Sequence, residues 1–129
     1  LEFRRVLFRS DKPGLATPTQ CLKACMRLTP DRIFMTELRD DAAWDYLQAL
    51  NTGHPGGLTS THANSAMDAF TRIGLMVKAT EVGRMLDISD IMRLLHSTID
   101  VVVFMAKRKI REIYYSPEYK YECMNGGIK

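Results

Sequence analysis

Gly53-His54-Pro55-Gly56-Gly57-Leu58-Thr59-Ser60-Thr61-His62-Ala63-Asn64-Ser65 holds two imidazoles eight positions apart, across a glycine-rich turn and a Thr/Ser/Thr run. Sixteen residues before it begins, Glu37 lies in the short apolar segment Ile33-Phe34-Met35-Thr36-Glu37-Leu38-Arg39. An apolar run of that length reads as a buried strand, and its acid falls at the C-terminal end, where α/β sheets bind ligands. Strand with carboxylate, then helix, then a polar loop offering histidines is the layout of a nucleotide-hydrolysing α/β site. No G-x-x-x-x-G-K-[ST] occurs in the 129 residues, so the part that would hold the phosphates is not in this chain.

Outward from these blocks, helices alternate with short strands. Thr17 as N-cap and Pro18 at the first helical position predict a helix to about Leu28, with Leu22, Cys25 and Met26 at helical spacing. Asp40 and Asp41 open the next helix, whose apolar stripe is Ala43, Trp44, Leu47 and Leu50, and Thr52-Gly53 stops it. Leu58 to Thr61 reads as another short strand. Ser65 with Asp68 starts a helix that buries Phe70, Ile73 and Val77. Gly83 separates it from a helix beginning near Ser89, with Ile91, Met92, Leu94 and Leu95 toward the core. Ile99–Ala106, apolar on both faces, predicts a strand interior to a covered sheet. Lys107-Arg108-Lys109 turns the chain into an edge strand over Ile110–Tyr115, and Tyr119–Cys123 reads as a last short strand. The expected fold class is α/β, ending in an antiparallel hairpin.

Composition narrows the function classes. An apolar content of 46% supports one core, and the longest apolar run, Val101–Ala106, is far too short to span a bilayer. Residues 1–10 read as a translated cloning or sequencing adapter joined at a truncation point and are set aside from the fold. They carry three arginines and one glutamate, so the net charge of +3 falls to about +1 for the rest. A global basic field for nucleic acid is therefore unsupported. Three cysteines without a C-x-x-C pair argue against a disulfide framework or a zinc ribbon.

The candidate chemistry lies in the two blocks. Phosphoanhydride hydrolysis needs an in-line water, a carboxylate to orient it and Mg²⁺ to neutralise the phosphates. Glu37 is placed for the carboxylate role; the alternative is a surface acid paired with Arg39. Hydroxyls at Thr59, Ser60 and Thr61 suit phosphate oxygens or waters, and an imidazole at His54 or His62 suits the end of a phosphate tail. A plain structural turn with His54 bonded to backbone is the alternative, and zinc ligation by the two histidines is disfavoured by their spacing. His96 reads as a structural residue. Lys107, Arg108, Lys109 and Arg111 form a basic cluster that reads as a solvated turn, with nucleic-acid contact as the alternative.

Leu28–Arg39 and Asn51–Ser65 together resemble two signature blocks of the type II/type IV secretion ATPase superfamily, nearest to the hexameric traffic ATPases of type IV secretion and conjugal DNA transfer. The first is similar to the family's Walker B segment, the second to its histidine box, and Asp40–Leu47 to the connecting helix. The resemblance spans roughly Thr17 to Tyr115. It implies a partial RecA-like P-loop NTPase domain over residues 11–129, with a mostly parallel sheet, flanking helices and a C-terminal antiparallel hairpin. It implies that Glu37 positions the attacking water and helps hold Mg²⁺ through water, and that His62 approaches the γ-phosphate. Arg39, His54 and Thr61 are the implied supporting contacts to ATP.

The same resemblance implies a homo-hexamer with shared active sites, working with other secretion components at the cytoplasmic face of the inner membrane and passing DNA or protein. The phosphate-binding loop is missing, so the expectation is a C-terminal fragment that does not turn over ATP alone. A sheet deprived of neighbours is expected to leave an exposed edge that self-associates. The competing readings are a non-catalytic α/β interaction module and a nucleic-acid-binding domain using residues 107–111.

Overall fold

Thr17 sets the first helix in place. Its hydroxyl accepts the Gln20 N–H at 3.2 Å while the Gln20 side chain accepts the Thr17 N–H at 2.9 Å, a reciprocal capping box. In the computed structural model, residues 5–8, 16–39 and 42–126 are described, the first of these as backbone only. They fall in two units, Leu1–Thr61 and His62–Lys129.

The first unit runs β1 (Arg5–Phe8), α1 (Pro18–Arg27), β2 (Arg32–Met35) and α2 (Ala43–Asn51). Strands β1 and β2 pair in parallel, Arg5 opposite Arg32 through Phe8 opposite Met35. The sheet therefore uses residues that the sequence reading had set aside. β2 stops at Met35, short of the expected Leu38. After it, Leu58 makes a parallel bridge to Phe34, so the expected strand at 58–61 is an extended segment with one bridge. Ile33, Leu38, Leu22 and Cys25 are buried. On α2 the buried set is Ala43, Tyr46, Leu47 and Ala49; Trp44 and Leu50 are half-buried, so the apolar stripe is rotated from the one predicted. Asp40 and Asp41, expected to open this helix, lie outside the described residues, and Ala42 is its N-cap.

The second unit runs α3 (Ala66–Ala79), a 3₁₀ turn (Gly83–Met85), α4 (Ile88–Thr98), β3 (Val101–Ala106), β4 (Lys109–Tyr115) and α5 (Pro117–Met124). The Ser65 hydroxyl accepts the Asp68 N–H at 3.0 Å and starts α3, which buries Phe70, Ile73 and Val77 as its spacing predicts. On α4, Ile91, Leu95 and His96 are buried, whereas Met92 and Leu94 are half-buried.

β3 is not an interior strand. Among the described strands it pairs, in antiparallel fashion, with β4 alone, and Val101, Val103 and Met105 are exposed. Residues 119–123 are helical rather than extended. Pro117 at the first position of α5 and Lys120, which donates to the Asp100 carboxylate and to Thr98 O, fix that turn of helix against the end of α4.

Candidate functional site

The site grows from how the loop after α2 returns to β2. Gly53, at φ +116°, supplies the left-handed residue that ends α2. At Gly57 the loop then passes close to α2 and β2. A Cβ there would lie 2.4 Å from Leu50 Cδ2, 2.6 Å from the Tyr46 hydroxyl and 2.9 Å from Ile33 O, so only glycine fits. Tyr46 is buried, its hydroxyl donates to Ile33 O at 3.3 Å, and burial pushes its pKa up.

From Leu58 the loop runs alongside β2 and beyond its end. Leu58 N–H donates to Ile33 O (3.2 Å), Met35 N–H to Leu58 O (2.9 Å) and Leu38 N–H to Ser60 O (2.8 Å). The Ser60 hydroxyl donates to Thr36 O at 2.6 Å. Glu37 thus sits between two residues that are both bonded to Ser60. Its own carboxylate Oε2 accepts from Arg39 Nε (3.3 Å) and Nη2 (3.2 Å). That pair is substantially exposed, 37% for Glu37 and 63% for Arg39, and such pairs contribute about 0–1 kcal/mol.

The sequence groups Glu37 and His62 with Arg39, His54 and Thr61, and all of these but His62 belong to the first unit. The structure joins Glu37 to Arg39 directly and carries Thr61 in beside the 36–38 segment through Ser60. The His54 N–H closes the end of α2 by donating to Ala49 O at 3.3 Å. Among the described residues its buried ring Nδ1 has no hydrogen-bond partner, and neither has the buried hydroxyl oxygen of Thr61. Such atoms are costly unless something satisfies them, and here each is a group that suits a phosphate oxygen or ordered water. His62, next in the chain, is exposed and begins the second unit.

The sequence reading assigned the hydroxyls of Thr59, Ser60 and Thr61 to one task. The structure divides them. Ser60 is committed to Thr36 O, and Thr59 makes a long 3.5 Å contact to Ser60 O. The cross-strand role of Ser60 had no local sequence signal, because its partner is 24 residues away. Among the described residues, no three His, Cys, Asp or Glu side chains gather where they could hold a metal ion. A single carboxylate fits the habit of Mg²⁺, which keeps waters and binds through one or two acids together with substrate phosphates. His96 packs in an aromatic cluster of the second unit, and the basic residues 107–109 and 111 are exposed on and beside the hairpin turn.

This α/β chain thus sets a carboxylate just beyond a parallel strand, beside a loop with two buried polar atoms that have no partner among the described residues. A family profile described as "Type II/IV secretion system protein" matches residues 6–121, and the chain belongs to that family. Among its relatives, the type IV secretion system protein VirB11 of Bartonella quintana is 41% identical over 128 residues, covering 95% of this chain and 36% of that protein. Protein VirB11 of Agrobacterium fabrum is 35% identical over 112 residues, covering 84% and 33%. The crystal structure of the VirB11 ATPase from the Brucella suis type IV secretion system, in complex with sulphate, superimposes with a TM-score of 0.81 at 36% identity. It covers 85% of this chain and 35% of that one. The chain therefore spans about a third of the length of the relatives it matches.

Proposed function

We propose that this chain is the Walker B and histidine-box part of a RecA-like ATPase that powers type IV secretion or conjugal transfer. The observation that carries the proposal is the pair of Ser60 bonds, which fasten the histidine loop to the backbone on both sides of Glu37. Family membership and the likeness to a VirB11 ATPase supply the reaction class.

In this reading Glu37 orients the attacking water and accepts a hydrogen bond from it. Thr61 and His54 donate to phosphate oxygens through the polar atoms that the fold leaves buried and unpartnered. Arg39 holds the Glu37 carboxylate when nucleotide is absent and is a cation available to the phosphates when it is present. His62 approaches the terminal phosphate. Glu37 is the residue that would help hold Mg²⁺, which when bound would neutralise charge at the phosphates. The parent protein works as a homo-hexamer at the cytoplasmic face of the inner membrane, among other secretion components, and moves DNA or protein. Among the described residues no helix is long and apolar enough to cross a membrane, which fits a peripheral attachment.

The test is magnesium-dependent phosphate release. In the full-length protein Glu37→Gln should lower kcat by about 10²-fold or more with nucleotide still bound, and His62→Ala should lower it as well. The 129-residue chain alone should release no phosphate, because the amides and lysine that cradle the phosphates are not among its residues. Native turnover in the Glu37→Gln protein would refute the assignment.

A further inference from the structure

We infer that Ser60 is a positioning residue for Glu37, holding its backbone so that the carboxylate meets the attacking water. The inference rests on the role proposed above for Glu37. Among the described residues the ladder between β1 and β2 runs to the Phe8–Met35 pair, two residues before Glu37. Ser60 takes over at that point. Its hydroxyl donates to Thr36 O at 2.6 Å and its carbonyl accepts the Leu38 N–H at 2.8 Å, so a single residue bonds on each side of Glu37. The buried Leu38 side chain anchors the far end of the clamp.

The restraint from Arg39 is weaker. The Arg39 guanidinium sits on the Glu37 carboxylate, but that pair is solvent-screened and must give way when phosphates compete for the cation. Among the described residues neither neighbouring hydroxyl does the work of Ser60: Thr59 contacts Ser60 O at 3.5 Å, and the Thr61 oxygen has no partner. In-line attack depends steeply on placement, with an error of about 1 Å costing about 10²-fold in rate. A hydroxyl that fixes the carboxylate's backbone should therefore act on kcat and leave nucleotide affinity alone.

The experiment compares Ser60→Ala, Ser60→Thr, Glu37→Gln and the Ser60→Ala/Glu37→Gln pair in the full-length protein, measuring kcat, KM for magnesium ATP and melting temperature. Ser60→Ala is expected to lower kcat by about 10- to 100-fold with KM changed less than about twofold. Ser60→Thr, which keeps the hydroxyl, should restore most of the rate. In the Glu37→Gln background the alanine should cost nothing further, since there is no carboxylate left to aim. Native kcat in Ser60→Ala beside an inactive Glu37→Gln would overturn the inference while sparing the reading of Glu37. Loss of turnover in both Ser60 variants together with a lowered melting temperature would also overturn it, as a fold defect. Unchanged turnover in Glu37→Gln would remove the reading on which it rests.

Discussion

His96 lies flat against Phe70, with ring centroids 4.1 Å apart and planes 18° from parallel, and Tyr119 meets its edge at 5.0 Å. Its Nδ1 is 3.3 Å from the Tyr114 hydroxyl, and with the ring proton on Nε2 that hydroxyl donates to it. Phe70, Tyr114 and Tyr119, from α3, β4 and α5, bring no formal charge to the ring, and burial lowers its pKa below 6.5. The unfolded chain therefore binds the proton more readily than the fold does. Stability from this residue is fully present above the unfolded value of 6.5 and is lost as pH falls toward the lower folded value. Urea midpoints taken from about pH 8 to about pH 5 should fall on the acid side, and His96→Phe should flatten that part of the curve. An unchanged pH profile in the variant would mean another group carries the acid sensitivity. At this scale the sequence singles out Glu37, Arg39, His54, Thr61 and His62 as candidates, because glycines, hydroxyls and ionisable groups stand out in a sequence. Their partners are not legible. The Ser60 bond to Thr36 joins residues 24 apart, and nothing local to either announces it.

The hairpin shows the same limit in an element. Lys107 and Arg108 form its two-residue turn at φ 50° and 61°, the left-handed pair that a type I′ turn requires. Side chains with a Cβ pay for that conformation, and Asn-Gly does not. Lys107→Asn combined with Arg108→Gly should raise unfolding stability by on the order of 1 kcal/mol, read as a higher urea midpoint at unchanged slope. A lower midpoint would show that the two basic side chains hold the turn by contacts of their own. Strand order and turn position followed from sequence alternation, but the phase did not. Pairing jumps from Phe104–Glu112 to Met105–Ile110, so Arg111 is the extra residue of a bulge. The bulge turns Ile110 onto the face of Ile113 and Tyr115, which alternation alone would not place there. It also leaves Glu112 where its carboxylate accepts the Ala66 N–H at 2.8 Å, at the start of α3. Tyr119–Cys123 alternates like a strand, yet Pro117 and the Lys120 anchor make it helical.

Across the whole chain, the first four helices were readable because each carries an apolar period, and α1 and α3 a side-chain cap as well. The partner of β2 was not, since β1 lies far from it in sequence and residues 1–10 had been set aside. Nor was exposure. The run Val101–Ala106 is apolar enough for a covered strand, but in this chain one face of the hairpin is open, with Val101, Val103, Met105, Ile110, Ile113 and Tyr115 each 46–66% exposed. Contiguous apolar surface of this kind drives association, and β3 and β4 each have one unpaired edge among the described strands. The 129-residue chain should therefore self-associate in sedimentation velocity, with the average mass rising along a concentration series. Val103→Lys with Ile113→Glu should reverse this while leaving the far-ultraviolet circular dichroism unchanged. The two positions are direct cross-strand partners, so the introduced charges offset one another within the hairpin and still oppose apolar contact. Association that persists in the doubly substituted chain would locate the contact elsewhere, away from the hairpin face.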